Sequence, residues 1–88
     1  MYEKIVTVIN RSGVHARPSS VLVQKTKDFK SSIYFQCGDN TINAKSILGI
    51  ITLGATYGSK IKIIAEGEDE EAAVNALAHL FESKFEEE

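Results

Sequence analysis

The change of periodicity that defines this fold lies in residues 60–85, which read KIKIIAEGEDEEAAVNALAHLFESKF. Apolar residues first recur at every second position, at Ile61, Ile63 and Ala65, which is typical of a strand with one buried face. They then recur at helical spacing, and Asp69 is the predicted N-cap of this helix. The apolar stripe of the helix comprises Ala73, Val74, Leu77, Phe81 and Phe85. A one-sided strand followed by an amphipathic helix predicts a sheet covered by helices.

The other segments extend this pattern to the order β-α-β-β-α-β-α. We predict strands over residues 2–9, 32–37, 41–44 and 60–66, and helices over residues 16–27, 47–53 and from Asp69 onward. Gly38-Asp39-Asn40 is turn chemistry between the second and third strands. Short hairpins and one-sided strands favour an antiparallel sheet, and the expected architecture has two layers.

Length and composition limit the classes of function. The chain has 88 residues, enough for one domain over residues 1–88 but too few for a large enclosed active-site cleft. No apolar stretch is long enough to span a membrane, and the first residues do not resemble a secretory signal. The lone Cys37 cannot form an internal disulfide or build a zinc site by itself. We therefore expect a small soluble protein of the cytoplasm.

Charge is distributed unevenly along the chain. Residues 1–65 contain nine Lys and Arg against three Asp and Glu, whereas residues 66–88 contain one Lys against nine acids. The aromatic residues are not interleaved with the lysines, which argues against a nucleic-acid surface. We interpret the acidic part as a solvated helix face, and the three final glutamates as a frayed tail.

The segment GVHARPSS, residues 13–20, carries the most specific chemistry. It places His15 and Arg17 at the predicted start of a helix, where Pro18 is tolerated because first-turn amides have no intrahelical acceptor. The backbone N–H groups of Ala16 and Arg17 point out of this helix end, which suits an anion such as phosphate. A neutral imidazole held there is a candidate nucleophile toward phosphorus. The residues alone leave open whether His15 is that nucleophile or a spectator.

A second segment, AKSILGI over residues 44–50, places a serine before a short helix. Ser46 is first of all a cap, which is typically worth ~1 kcal/mol. The apolar residues that follow cannot all face inward on so short a helix. Ile47, Leu48 and Ile51 are therefore expected to leave an exposed patch that fits a protein partner.

These two motifs, with the length and the element order, resemble HPr, the histidine-containing phosphocarrier family of the bacterial phosphoenolpyruvate-dependent sugar phosphotransferase system. The resemblance covers essentially the whole chain. It implies an α+β open-faced β-sandwich with four antiparallel strands in the order 1-4-2-3 and three helices on one side. Two departures are minor: Leu48 stands where the family often has Met, and Ser19-Ser20 where small residues are usual.

The resemblance also implies residue roles. His15 would accept a phosphoryl group on Nδ1 from phosphorylated Enzyme I and pass it to IIA domains of sugar permeases, and Arg17 corresponds to the active-site arginine. Ser46 corresponds to the serine used by the ATP-dependent HPr kinase/phosphorylase. The chain would be a carrier rather than an enzyme, with a shallow exposed site that contains no metal or other cofactor, and nothing requires more than a monomer.

Three functions remain open at this point. The first is the general phosphocarrier acting through His15. The second is a signalling or corepressor module, in which phosphorylated Ser46 creates a binding surface for a transcriptional regulator. The third is a protein that binds anions at a helix start without covalent chemistry.

Overall fold

The computed structural model describes residues 1–86, without the side chain of Glu86. Glu87 and Glu88 of the predicted frayed tail lie outside the described residues. The elements are β1 (Tyr2–Thr7), α1 (Ala16–Thr26), β2 (Ser32–Cys37), β3 (Asn40–Asn43), α2 (Ile47–Leu53), β4 (Lys60–Glu66), α3 (Glu70–Glu82) and a closing 3-10 turn (Lys84–Glu86). This confirms the predicted order of strands and helices.

The four strands form one antiparallel sheet in the order β1-β4-β2-β3. β4 is central and pairs with β1 on one side and with β2 on the other. Only the β2–β3 pair is a hairpin, and it closes through Gly38 and Asp39. The predicted α+β open-faced sandwich and its strand order are confirmed.

The core lies between the sheet and the helices. Ile61, Ile63 and Ala65 of β4 are completely buried, as their alternation predicts. Phe35 of β2 meets Phe81 of α3 edge to face, with ring centroids 5.8 Å apart. Within residues 1–86 no helix covers the other face of the sheet, and the buried residues of all three long strands point to the helix side. Among the described residues, no helix has the length and apolar character needed to cross a membrane.

Some element boundaries differ from those predicted. β1 ends at Thr7 rather than at residue 9, because Val8 exchanges two 2.8 Å backbone hydrogen bonds with the loop residues Gly58 and Ser59. β3 covers Asn40–Asn43 rather than 41–44, because the turn uses only two residues. α1 ends at Thr26, one residue before the predicted end.

Phe85 is not part of the helix that precedes it, which corrects the predicted stripe. α3 ends at Glu82, and Lys84 and Phe85 both adopt left-handed conformations, with φ of 56° and 57°. The reversal nevertheless leaves Phe85 only 4% exposed, with its ring centroid 5.0 Å from that of Phe81. The periodicity therefore identified a core residue but assigned it to the wrong local structure.

Asp69 occupies the N-cap position of α3, but its side chain does not cap the helix. Its carboxylate instead accepts hydrogen bonds from the Ser31 hydroxyl and from the backbone N–H groups of Lys30 and Ser31. The contact ties the α1–β2 loop to the β4–α3 turn. The Ser31 hydroxyl, followed by the Lys30 N–H, lowers the pKa of Asp69 from 3.8 to about 2.

Replacing Asp69 by Asn should reduce the free energy of unfolding at pH 7, because the charged acceptor of three hydrogen bonds is lost. The folded pKa of about 2 lies below the ordinary value of 3.8, so the stabilisation is fully present above about pH 4 and is lost as the pH falls toward 2. Urea unfolding at pH 7, 4 and 2.5 should show the difference between parent and variant shrinking. Asp39→Asn, in the exposed hairpin turn, is the matched control. A difference that stays constant from pH 7 to pH 2.5 would contradict this account.

Candidate functional site

The loop of residues 10–15 leads from β1 to α1 and is built around a buried asparagine. Asn10 is 1% exposed, and its carbonyl accepts a 3.1 Å hydrogen bond from the Gly13 N–H. Its Nδ2 donates in return to the Gly13 carbonyl. The two bonds close a ring that sets the shape of the loop before the histidine. Within the described residues, Oδ1 of Asn10 has no hydrogen-bond partner.

This loop lies directly against the loop that follows α2. The Val14 N–H donates to the Ala55 carbonyl at 3.0 Å. Gly13 has a φ of 71°, and a Cβ there would lie 2.8 Å from the Ala55 oxygen and 3.0 Å from the Thr56 Cα. Position 13 therefore requires glycine for two reasons. Its φ is positive, and the neighbouring backbone leaves no space for a Cβ.

His15 is exposed and occupies the N-cap position of α1, with an extended backbone at φ −93° and ψ −163°. Its side chain makes no capping hydrogen bond. Its carbonyl is held firmly, because it accepts from both the N–H of Ser19 at 3.0 Å and the Ser19 hydroxyl at 2.7 Å. Since Ser19 is completely buried, the backbone of His15 is anchored while its imidazole faces outward.

The first turn of α1 has the electrostatic character of an anion site. N-caps are usually residues whose side chains satisfy an amide of the first turn, and His15 does not do so. The N–H groups of Ala16 and Arg17 precede any intrahelical acceptor, and Pro18 has no N–H. The guanidinium of Arg17 is exposed in the same turn. The imidazole, the two amides and the arginine that the sequence predicts all belong to residues 15–17, at the N-cap and first turn of α1.

Ser46 caps α2 as predicted. Its Oγ accepts a 3.1 Å hydrogen bond from the Gly49 N–H, and its carbonyl accepts from the Ile50 N–H at 3.1 Å. The residue is half-buried. Because α1 packs against α2, the cap belongs to the same helical layer as His15.

The predicted apolar patch is exposed on α2. Ile47, Leu48 and Ile51 retain 43%, 69% and 42% of their accessible surface, whereas Ile50 is fully buried on the other side of the helix. Tyr57 in the following loop is 65% exposed. The short helix thus has apolar residues on both its buried and its exposed side. A group of exposed apolar side chains is typical of a protein interaction surface.

Three residues of these segments are not among those predicted from the sequence: Asn10, Ser19 and Tyr57. Ser19 is noted only as a departure from the small residues usual in the family, although a serine four positions after another residue commonly donates to that residue's carbonyl. The burial of Asn10 is not visible from the local sequence pattern. Tyr57 carries no periodic signal, because it lies in a loop.

The remaining candidate residues stand apart from this site. His79 is exposed on α3, and Cys37 is half-buried at the end of β2. Across residues 1–86, no three His, Cys, Asp or Glu side chains are grouped so as to hold a metal ion.

Replacing Gly13 by Ala should lower the free energy of unfolding by about 2–4 kcal/mol. About 1–2 kcal/mol of this comes from the left-handed conformation, and the rest from the overlap of Cβ with the Ala55 carbonyl. Gly38→Ala is the matched control, because Gly38 has a φ of 61° but nothing within 4 Å of a Cβ. Urea unfolding of both variants measures the difference between them. Equal losses of unfolding free energy in the two variants would show that the overlap with the Ala55 carbonyl contributes nothing.

Comparison with known proteins assigns the family. The family described as "PTS HPr component phosphorylation site" matches residues 2–83. Phosphocarrier protein HPr of Treponema pallidum is 46% identical over 88 residues and covers all of both chains. The crystal structure of HPr-C-His from Thermoanaerobacter tengcongensis superposes with a TM-score of 0.96 at 45% identity, covering 100% of this chain and 99% of that one. The domain-swapped dimer of the Bacillus subtilis catabolite repression protein Crh superposes with a TM-score of 0.77 at 33% identity, covering 96% and 97%. The chain therefore belongs to the HPr family of phosphocarrier proteins of the phosphotransferase system, which are carriers and not enzymes.

Proposed function

We propose that this phosphocarrier accepts its phosphoryl group on Nδ1 of His15, receives it from phosphorylated Enzyme I, and delivers it to IIA domains of sugar permeases. It does so in the cytoplasm as a single domain over residues 1–88, with the monomer as the transferring species. One observation supports the proposal above the others: His15 is exposed at the N-cap of α1, and its side chain leaves the first-turn amides to another acceptor.

The transfer needs only one bond exchange. The P–N bond to the donor imidazole breaks while a P–N bond to Nδ1 of His15 forms. His15 enters as the neutral tautomer with its proton on Nε2, so that the Nδ1 lone pair attacks phosphorus in line with the leaving nitrogen. No oxidant, reductant or additional proton is required. The protein contributes positioning and stabilisation of charge.

The anchored backbone of His15 serves that positioning. Because Ser19 holds the His15 carbonyl with two hydrogen bonds, the imidazole starts from a fixed point beside the helix end. The N–H groups of Ala16 and Arg17 and the Arg17 guanidinium then face the negative charge of the bound phosphoryl group. The site is exposed, so this attraction stays weak enough for the group to leave again.

Partner docking fits the patch of Ile47, Leu48 and Ile51. These side chains have no cover in the described residues, and α2 packs beside α1, whose N-cap is His15. Burial of such side chains is worth roughly 1.5–3 kcal/mol each when complete. Their partial exposure leaves a fraction of that free energy for association with Enzyme I or a IIA domain.

Incubation with phosphoenolpyruvate and Enzyme I should place an acid-labile phosphoryl group on His15. His15→Gln should reduce the labelling to background, because the attacking nitrogen is absent. His79→Gln is the matched control, since His79 is also an exposed histidine but lies on α3. Nitrogen-15 NMR of the phosphorylated parent should show the substituted nitrogen as Nδ1.

Two results would contradict the assignment. Undiminished labelling of His15→Gln would move the acceptor elsewhere, and loss of labelling in His79→Gln alone would place it on α3. Unfolding curves of both variants show whether either substitution impairs folding, which would itself reduce labelling.

We also propose regulatory phosphorylation of Ser46 by HPr kinase/phosphorylase. A phosphate on Oγ adds about −1.5 to −2 charges at pH 7. That charge would stand at the N-terminus of α2, where it favours the helix, but immediately beside Ile47 and Leu48, which a partner must cover. The effect falls on docking rather than on folding.

Replacing Ser46 by Asp should slow phosphoryl transfer from Enzyme I about tenfold under conditions of limiting carrier, which corresponds to ~1.4 kcal/mol of lost association. The thermal stability should not fall, because a carboxylate also suits an N-cap. Ser32→Asp, at an exposed serine of β2 on the other layer, is the matched control and should transfer at the parental rate. Equal rates for the two variants would exclude Ser46 as a control point.

A second candidate function is a signalling module that acts through phosphorylated Ser46 on a transcriptional regulator. It is favoured by the similarity to Crh, a protein named for catabolite repression. ATP-dependent, acid-stable labelling of Ser46 without acid-labile labelling of His15 would support it over the carrier. Absence of both labels would leave noncovalent anion binding at the start of α1.

A further inference from the structure

Tyr57 is a large exposed side chain on a tight turn, the 56–59 turn, in the loop between α2 and β4. It is 65% exposed. The Ser59 N–H donates to the Thr56 carbonyl at 2.9 Å, and Gly58 has a φ of 87°, whereas the φ of Tyr57 is not positive. A hydrogen bond between the first and fourth residues with a positive φ at the third is typical of a type II turn. Tyr57 therefore occupies the second position of a turn that glycine makes possible.

The backbone on both sides of Tyr57 is fixed by the end of β1. The Gly58 N–H donates to the Val8 carbonyl, and the Val8 N–H donates to the Ser59 carbonyl, both at 2.8 Å. Within the turn, the Thr56 N–H donates to the Ser59 hydroxyl at 3.1 Å. A tyrosine has few side-chain torsions, so a ring on a fixed backbone loses little conformational entropy when it is bound.

The 56–59 turn lies close to His15. A Cβ on Gly13 would lie 3.0 Å from the Thr56 Cα. Gly13 is two residues before His15, and Tyr57 is one residue after Thr56. Since consecutive Cα atoms are ~3.8 Å apart, the Cα atoms of His15 and Tyr57 are separated by at most about 16 Å. A standard protein interface covers about 800 Å² on each partner, which corresponds to a radius of roughly 16 Å for a circular contact. A partner whose contact is centred on His15 therefore reaches Tyr57.

The side chain of Tyr57 suits a protein partner. It has an apolar ring and a hydroxyl group that can donate and accept a hydrogen bond. Tyrosine is one of the residue types that contribute most to binding at protein interfaces, where it fills a pocket on the partner. The exposed patch on α2 contains only aliphatic side chains, so Tyr57 adds an aromatic and hydrogen-bonding contact that the patch lacks.

We propose that Tyr57 is a docking residue for the protein that transfers a phosphoryl group to His15, and that this partner receives the ring in an apolar hollow with a polar rim. The inference rests on the proposed phosphocarrier function and adds a contact residue of this chain to it. Tyr57 acts on association and not on the transfer step, because its ring holds the complex together while the phosphoryl group moves. Gly58 contributes by allowing the turn that presents the ring.

Steady-state transfer from Enzyme I, with phosphoenolpyruvate in excess and the carrier concentration varied, separates association from chemistry. Tyr57→Ala should raise the KM for the carrier about tenfold and leave kcat within about twofold of the parent, because the ring contact is lost. Tyr57→Phe keeps the ring and should stay within about threefold of the parental KM. Tyr34→Ala is the matched control, since Tyr34 is also an exposed tyrosine but lies on β2, and it should show parental constants.

Substitution of the turn glycine tests whether the turn presents the ring. Gly58 and Gly38 both have a positive φ, and a Cβ at either position would meet nothing within 4 Å. The two alanine variants should therefore lose similar stability from the strained backbone. Only Gly58→Ala should raise the KM, by about threefold or more, because it displaces the ring of Tyr57. Thermal unfolding shows whether each variant is folded at the assay temperature.

Four outcomes would contradict the proposal. An unchanged KM for Tyr57→Ala would remove Tyr57 from the interface, and a lower kcat with an unchanged KM would place it in the chemistry. An equal rise in KM for Tyr34→Ala would show that the effect is not specific to the 56–59 turn. A parental KM for Gly58→Ala would overturn the role of the turn. In all four cases His15 of the parent is still labelled, so the phosphocarrier proposal stands. Absence of labelling in the parent would instead overturn that proposal, and this inference with it.

Discussion

The backbone contact between the 10–15 loop and the loop after α2 determines where every residue of the candidate site lies. Val14 donates to the Ala55 carbonyl, and Gly13 passes so close to residues 55 and 56 that a methyl group does not fit. The contact joins two parts of the chain that are forty residues apart. It places the start of α1 beside the end of α2, so that His15 and an exposed apolar patch share one layer.

The site combines a firm backbone with an exposed side chain, and a carrier needs both. The His15 carbonyl is held by a buried serine, whereas the imidazole makes no capping bond. A side chain that capped its own helix would compete with the phosphoryl group for the same amides. An enclosed pocket would hold the group more strongly, because electrostatic interactions strengthen as solvent is excluded. An exposed position therefore binds a phosphoryl group less strongly than an enclosed pocket and allows the group to leave more easily.

Much of this could be predicted from sequence, and the errors have a common cause. Alternation in Lys60–Glu66 and the serine before α2 identified elements correctly, because those signals depend on a residue and its near neighbours. Asp69 failed as a side-chain cap because a better set of donors arrives from residues 30 and 31, about forty positions away. Phe85 was recognised as a core residue, but the left-handed turn that returns it to Phe81 leaves no periodic trace. For the site, the two motifs and the resemblance predict His15, Arg17 and Ser46, whereas the anchoring by Ser19 and the ring around Asn10 required coordinates.

The two layers of the fold separate two kinds of surface. The helical layer presents His15 and the exposed residues of α2. A phosphocarrier must bind and release its partners with each transfer, so a contact on such a surface has to be reversible. The open sheet presents a face on which apolar and charged residues alternate in register, and nothing in the transfer chemistry requires Ile5, Tyr34 and Ile64 to be apolar there. An exposed sheet face is stable when it is polar, and each large apolar side chain on it retains unfavourable hydration that a partner would remove. Because the two surfaces lie on opposite sides of one core, a contact on the open face of the sheet leaves His15 exposed.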